Sequence, residues 1–249
     1  MPRIETNPRQ EGRLDTVNEN EFPFIRVILH WEKRPPNGNH AIELRGALAT
    51  KFPDNPLFHQ HQDDKFVYRY PLIQYRWRGG KGVILGFHQG AMELVTLPWF
   101  GLKLRLGETE VRVMDADFFC KMERFAFAEE PQCYRFCSPW LPINQRNYEQ
   151  YHRLSPEAQA AERDRILVGN LLSAAKGLGV FLKDRVQAKF ELQRTVWCRY
   201  KEQELQGFFG TITTNLLLPE DLAIGAKVSH GYGWLTREKQ EKSINSNKD

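Results

Sequence analysis

A chain of 249 residues, 41% hydrophobic and 27% charged, is long enough for one large or two small domains with a real core, and it is too apolar to be disordered throughout. Its formal net charge of +4 does not by itself mark a nucleic-acid binder, and no uninterrupted run of about 18 apolar residues offers a membrane span. Four cysteines (Cys120, Cys133, Cys137 and Cys198) without a CxxC pair argue against a disulfide framework or a four-sulfur zinc site, and the charged, polar start lacks the apolar run of a signal peptide, so a soluble, unexported protein of the reducing cytoplasm is expected.

Residues 1–20 read as a flexible arm and residues 238–249 as a polar tail, because neither has an apolar run to anchor it. Between them, residues 22–31 (FPFIRVILHW) alternate as a strand, and RPPNGN at 34–39 is a strong turn and loop signal. Residues 39–52 space Ile42, Leu44, Ala47 and Leu48 as a helix does, with Pro53 just beyond. Two β-rich runs, 66–77 and 82–87, flank RGGK at 78–81, which reads as a hairpin turn. Residues 89–97 predict a short helix, and residues 108–123, with Val111, Val113, Met114 and Phe118, one or two further strands. The order β-α-β-β-α-β is the ferredoxin-like motif. From Lys65 to Arg105 seven basic residues face one acidic residue, Glu93, a local excess suited to a phosphate-attracting surface or to a plain solvated face.

The second half repeats the theme. Past the loop at Pro131, residues 133–137 predict a short strand. Ser155 is a good N-cap, Pro156 suits the first helical position, and Ala158, Ala161, Val168, Leu171, Leu172 and Ala175 form the apolar stripe of a helix that Gly177 or Gly179 ends. Residues 187–199, 207–218 and 225–235 predict strands, the first two separated by polar residues 201–206. The fold class is therefore α+β: two tandem ferredoxin-like (RRM-like) modules, 21–130 and 131–237, with a C-terminal glycine-rich loop. The duplication is inferred from element order, since the halves show no sequence self-similarity.

That loop, GAKVSHGYG at 225–233, sets Lys227, Ser229 and His230 among Gly225, Gly231 and Gly233. Glycines let backbone amides approach an anion, and the side chains add charge and donors, although the spacing is not that of a nucleotide P-loop and a plain glycine turn has the same composition. His59 and His61 with Asp63 and Asp64 allow a metal reading, but no third or fourth ligand stands at a recognisable spacing, so no metal is assigned. His30 lies in an apolar strand and reads as structural. Tyr68, Tyr70, Tyr75 and Trp77 interleave with Arg76 and Arg78, a pattern that stacks bases and holds phosphates when exposed, although alternation puts most of these rings in the core.

The succession GNLLSAAKGLG (169–179), GTITTNLLLP (210–219) and the glycine-rich loop, with YPLIQY (70–75) and GVILGF (82–87) in the first half, resembles the CRISPR-associated endoribonucleases that cut precursor transcripts into guide RNAs, members of the repeat-associated RNA-binding superfamily. The resemblance implies metal-independent cleavage without a cofactor: a 2′-hydroxyl attacks the adjacent phosphate, leaving a 2′,3′-cyclic phosphate and a 5′-hydroxyl. It puts a catalytic histidine at the start of the first helix, where this chain has His40, with Arg45, Lys51 and Tyr70 as candidate helpers. Gly225, Lys227, Ser229, His230, Gly231, Gly233, Arg76 and Arg78 become candidate RNA contacts, His230 binding RNA and not serving as an acid. The chain departs from the pattern at Ala223, where relatives carry a glycine, at the displaced Lys227, and at Gly46, where some carry a lysine. CRISPR repeat RNA is the implied partner, and the family allows effector-complex subunits and a homodimer besides. A non-catalytic repeat-binding subunit is the alternative, and a metal-dependent nuclease using His59, His61 and Asp63 a third.

Overall fold

The computed structural model describes residues 20–58, 61–62, 65–66, 70–200 and 202–238. Its first half runs β1 (Glu21–Trp31), α1 (Ala41–Lys51), a two-residue ladder of β2 (His61–Gln62) and β3 (Lys65–Phe66), β4 (Ile73–Arg78), β5 (Lys81–Phe87), α2 (Gln89–Thr96), β6 (Lys103–Leu106) and β7 (Thr109–Arg124). The sheet order β4-β5-β1-β7-β6 is all antiparallel and is that of a ferredoxin-like module extended by one strand, β6. Strand alternation sends Ile25, Val27 and Leu29 to the face covered by α1 and α2, where they meet Leu44, Leu48 and Leu94. Phe22 and Phe24 point to the opposite face and, with Leu85 and Phe87, join the core of the second half.

The second half runs β8 (Ala126–Phe136), α3 (Gln145–His152), α4 (Pro156–Gly177), β9 (Ala188–Tyr200), β10 (Gln203–Leu217), a 3₁₀ turn (Val228–His230) and β11 (Leu235–Arg237). Its sheet order β11-β8-β10-β9 repeats the ferredoxin-like order, with α4 packed on it through Leu167, Leu171, Ala174 and Ala175. Ser155 caps α4, its hydroxyl accepting from the Ala158 N–H, and Pro156 opens the helix, as the sequence predicts.

Where the second module's second helix belongs, between β10 and β11, the chain instead forms the glycine-rich loop. This corrects the strand expected over 225–235: a ladder needs consecutive extended residues, and Lys227, Gly231 and Gly233 all have left-handed backbone. The 133–137 strand extends back to Ala126, and residues 203–206 belong to β10 instead of a connector. Helix α3 was not foreseen. Among the described residues no helix is long and apolar enough to cross a membrane.

Candidate functional site

The glycine-rich loop closes against the start of α1. A Cβ added to Gly231 would lie 2.9 Å from the Ala41 Cβ, and its φ of +90° suits glycine, so close approach and backbone conformation demand the same residue. At Gly233 the demand is harder still, since a Cβ there would fall 1.9 Å from the Ile224 carbonyl oxygen. The Ile224 and Gly233 backbones are already joined by an N–H to O bond of 2.9 Å. Two sequence-distant segments thus meet at the N-terminal end of a helix, where unpaired amides and the helix dipole favour negative charge.

His40 precedes Ala41 directly. Its side chain does not cap the helix, and the Asn39 Oδ1 takes that duty by accepting from the Ala41 N–H. The imidazole is 14% exposed, edge-on to Trp77 at 4.9 Å between centroids. Its Nε2 lies 2.9 Å from the Pro36 carbonyl, and since a carbonyl only accepts, this nitrogen carries the proton. Nδ1 is buried with no hydrogen-bond partner, 4.0 Å from a Glu43 carboxylate oxygen. A buried acceptor left in this way requires an explanation.

The loop side chains gather beside the same helix start. Tyr200, the last residue of β9, brings its hydroxyl 3.0 Å from His230 Nε2, and the Ser229 hydroxyl lies 3.2 Å from Nδ1, so each ring nitrogen faces a hydroxyl. Lys227 sets its ammonium 4.5 Å from the centre of the Tyr200 ring. Burial pushes the Tyr200 phenol up, and the charge of Arg45, from α1, pulls part of that back. Arg45, Lys227, Tyr200 and His230 therefore form one positively charged cluster fed by helix, loop and strand.

The remaining expected residues divide. Arg76 is 1% exposed and cannot reach RNA; its guanidinium donates to Gln74 Oε1 and to the carbonyls of Tyr75 and Val228, bracing the loop from beneath. Burial brings it down to about 10, with Tyr70 and Asp221 opposing. Tyr70 is likewise committed: its hydroxyl donates to the Ala223 carbonyl at 2.6 Å, and burial pushes the phenol far up. Lys51 closes the helix that Ala41 opens, roughly 15 Å along the axis, and lines a groove with Thr50, Lys103 and Arg105. Arg78 is exposed, its guanidinium 5.9 Å from the Trp234 ring. The basic stretch is thus not one surface, because strand alternation and a turn send its members to different places. Ser229, Gly231 and Gly233 are buried, whereas Ala226 and Lys227 form the exposed tip of the loop. His30 is held by Asp117 at 2.7 Å, and Asp221 joins three elements, accepting from Arg26 on β1 and from the Trp234 indole while its carbonyl accepts from Arg76.

Glu43, Tyr200 and their roles at the two sides of the helix start escaped the sequence reading. Glu43 had a signal, since it follows His40 at helical spacing; Tyr200 had none, because only the fold brings it to His230. His59, Asp63 and Asp64 lie outside the described residues, as does Tyr68. Among the described residues no group of three His, Cys, Asp or Glu side chains is arranged to hold a metal ion.

Comparison with known proteins places this geometry. A family model described as the Cas6b N-terminal domain matches residues 24–123, and one described as the Cas6b C-terminal domain matches residues 126–238. A crystal structure of Cas6b superposes with a TM-score of 0.80 at 27% identity, covering 88% of this chain and all of that one. Another, of the CRISPR RNA processing endoribonuclease Cas6b, gives 0.69 at 26% with the same coverage. An uncharacterized protein of Methanocaldococcus jannaschii is 33% identical over 135 residues, 54% of this chain and 92% of its own. A Cas6 product complex, at 15% identity and a TM-score of 0.53 over 88% of this chain and all of its own, shares the fold.

Proposed function

The chain belongs to the Cas6b family and is an endoribonuclease of CRISPR RNA processing, and from that premise we propose that it cuts precursor RNA within its repeats at the start of α1, with His40 as general base and the glycine-rich loop opposite it. The observation that carries this reading is the contact of Gly231 with Ala41, which brings the loop and its cations beside the residue that follows His40. Incoming RNA displaces the Pro36 carbonyl from His40 Nε2, and Glu43, facing Nδ1, takes the side of the ring that bears the proton. Nε2 then has its lone pair toward a ribose 2′-hydroxyl, the orientation that a carboxylate imposes on imidazole.

The 2′-oxygen gives its proton to Nε2 and bonds to phosphorus, the bond from phosphorus to the 5′-oxygen breaks, and that oxygen takes a proton from the loop side. His230 and Tyr200, 3.0 Å apart, are the groups there that can supply it, so His230 gains a role beyond binding RNA. A raised phenol pKa keeps Tyr200 a donor at neutral pH. Arg45 and Lys227 offset charge building on the phosphate, and Lys51, with Lys103 and Arg105, holds phosphates farther along the helix. Nothing in these steps calls for a metal or a cofactor.

The test is to incubate purified protein with repeat-containing precursor RNA in EDTA. Site-specific cutting with 2′,3′-cyclic phosphate ends is expected, and His40→Ala should lower the rate roughly 10²–10⁴-fold while RNA is still bound. Tight binding without any product from the parent chain would instead favour the non-catalytic repeat-binding subunit, and cutting that EDTA abolishes would favour metal chemistry.

A further inference from the structure

We propose that a recess on the outer side of the second module, between Trp197 of β9 and Tyr148 of α3, stacks an unpaired base of the bound RNA. The proposal rests on the RNA-processing function and adds a binding subsite well outside the helix start where cleavage is assigned. Trp197 is 58% exposed although its strand neighbour Cys198 is buried, so a large indole has been left on the solvent face with Gln206 as its cross-strand partner. Tyr148 lies 6.0 Å away between centroids with its ring tilted 46°, which leaves an open wedge in place of a closed stack.

The wedge is built and held. Tyr148 packs at 4.3 Å on His152, and His152 Nε2 lies 3.0 Å from Gln206 Oε1, which ties α3 to the hairpin of β9 and β10. The recess has a volume of about 290 Å³ and opens into a groove of about 610 Å³, the two sharing Ile143, Asn144 and Leu205. That groove reaches Gly225 and Ala226, so it is continuous with the glycine-rich loop, and Arg146 and Asn170 line its course.

The chemistry along this path separates base from backbone. Glu149 and Glu204 stand at the aromatic recess, where carboxylates repel phosphate and accept from amino groups on base edges. Arg199 is the cross-strand register partner of Glu204. Arg146, in the groove between recess and loop, is placed for a phosphate. A strand leaving the loop would therefore run its backbone past Arg146 and lay a base on the exposed face of Trp197, at the mouth of the wedge. An unpaired nucleotide meets this requirement, since a base within a duplex has no free face.

The experiment compares the full-length parent chain with Trp197→Ala and Trp197→Phe for binding to repeat RNA and to a set of RNAs shortened stepwise from each end. Trp197→Ala is expected to weaken binding of the full repeat about tenfold, the loss of one base–aromatic stack of ~1.4 kcal/mol, and Trp197→Phe to recover most of it. The difference between parent and Trp197→Ala should vanish once the unpaired nucleotides at one end are removed, and the cleavage rate of the saturated complex should be unchanged. Equal binding by parent and Trp197→Ala on every RNA overturns the proposal, as does equal weakening on every RNA, which a general loss of fold would give. If these variants match a parent that cuts, only the subsite fails; a parent that neither binds nor cuts repeat RNA removes the function on which it rests.

Discussion

Glu43 gives the clearest test of the role proposed for His40, because its carboxylate lies 4.0 Å from the imidazole Nδ1, on the side away from Pro36. Glu43→Gln keeps the shape and removes the charge that stabilises a protonated ring, so cleavage at saturating RNA should fall roughly 10–100-fold while the dissociation constant of uncut RNA stays within about twofold. Single-turnover rates beside an equilibrium binding measurement separate the two; a variant as fast as the parent would remove Glu43 from the mechanism. At this scale the sequence was partly legible. The family resemblance marks His40 as the candidate base, a role that remains a proposal, but Arg76 and Tyr70 could not be told from surface residues, since burial depends on what the second module lays over β4. Arg76 looked like an RNA contact for the very reason that makes it useful as a brace: a guanidinium donates to carbonyl oxygens as readily as to phosphates.

The elements tell a different story. Segments rich in apolar residues and bounded by turn or cap signals, β1, α1, β5, α2, α4, β9 and β10, were all expected near where they lie. Those missed are poor in apolar residues or short: α3 is QRNYEQYH, polar nearly throughout, and β6 has only four residues. The glycine-rich loop was legible as a glycine-rich segment and misread as a strand, because its shape is imposed by the tight approach of Gly233 to Ile224. Gly233→Ala should accordingly cost at least about 2 kcal/mol, seen as a lower urea midpoint, and should reduce cleavage along with it. The contact between modules has its own signature. Burial alone would raise Glu220, but hydrogen bonds and charge from Lys121 and Arg26 outweigh it and hold the carboxyl below the ordinary range. A depressed folded-state pKa adds stability that is present above the unfolded value of about 4.3 and is lost as pH falls through the folded one. Melting temperature should therefore fall more steeply below about pH 4.3 in the parent than in Glu220→Gln; parallel curves would remove Glu220 from the junction's stability.

At the scale of the whole molecule, the cations we assign to RNA are spread over both modules, among them Arg45, Lys51 and Arg78 in the first and Arg146 and Lys227 in the second. Binding should weaken as salt rises, each neutralised phosphate contributing roughly 0.7–0.9 to the slope of log affinity against log salt, and Lys227→Ala should lower that slope by about one. A slope unchanged by that substitution, measured from low to physiological salt, would take the loop tip out of the RNA interface. The two-module plan was readable from element order, whereas the spatial pairing of α1 with the loop was not, since nothing in either segment's own sequence names its partner.

Phe22, Phe24, Leu85 and Phe87 lie in one core with Phe136, Trp140, Leu171 and Ile212, residues from opposite halves of the chain. The modules are consequently not beads on a string. Cut apart, each would present a greasy wound where its sibling had been, and heating the intact protein should melt both together in one sharp transition. Neither half is therefore a unit that could be exchanged on its own.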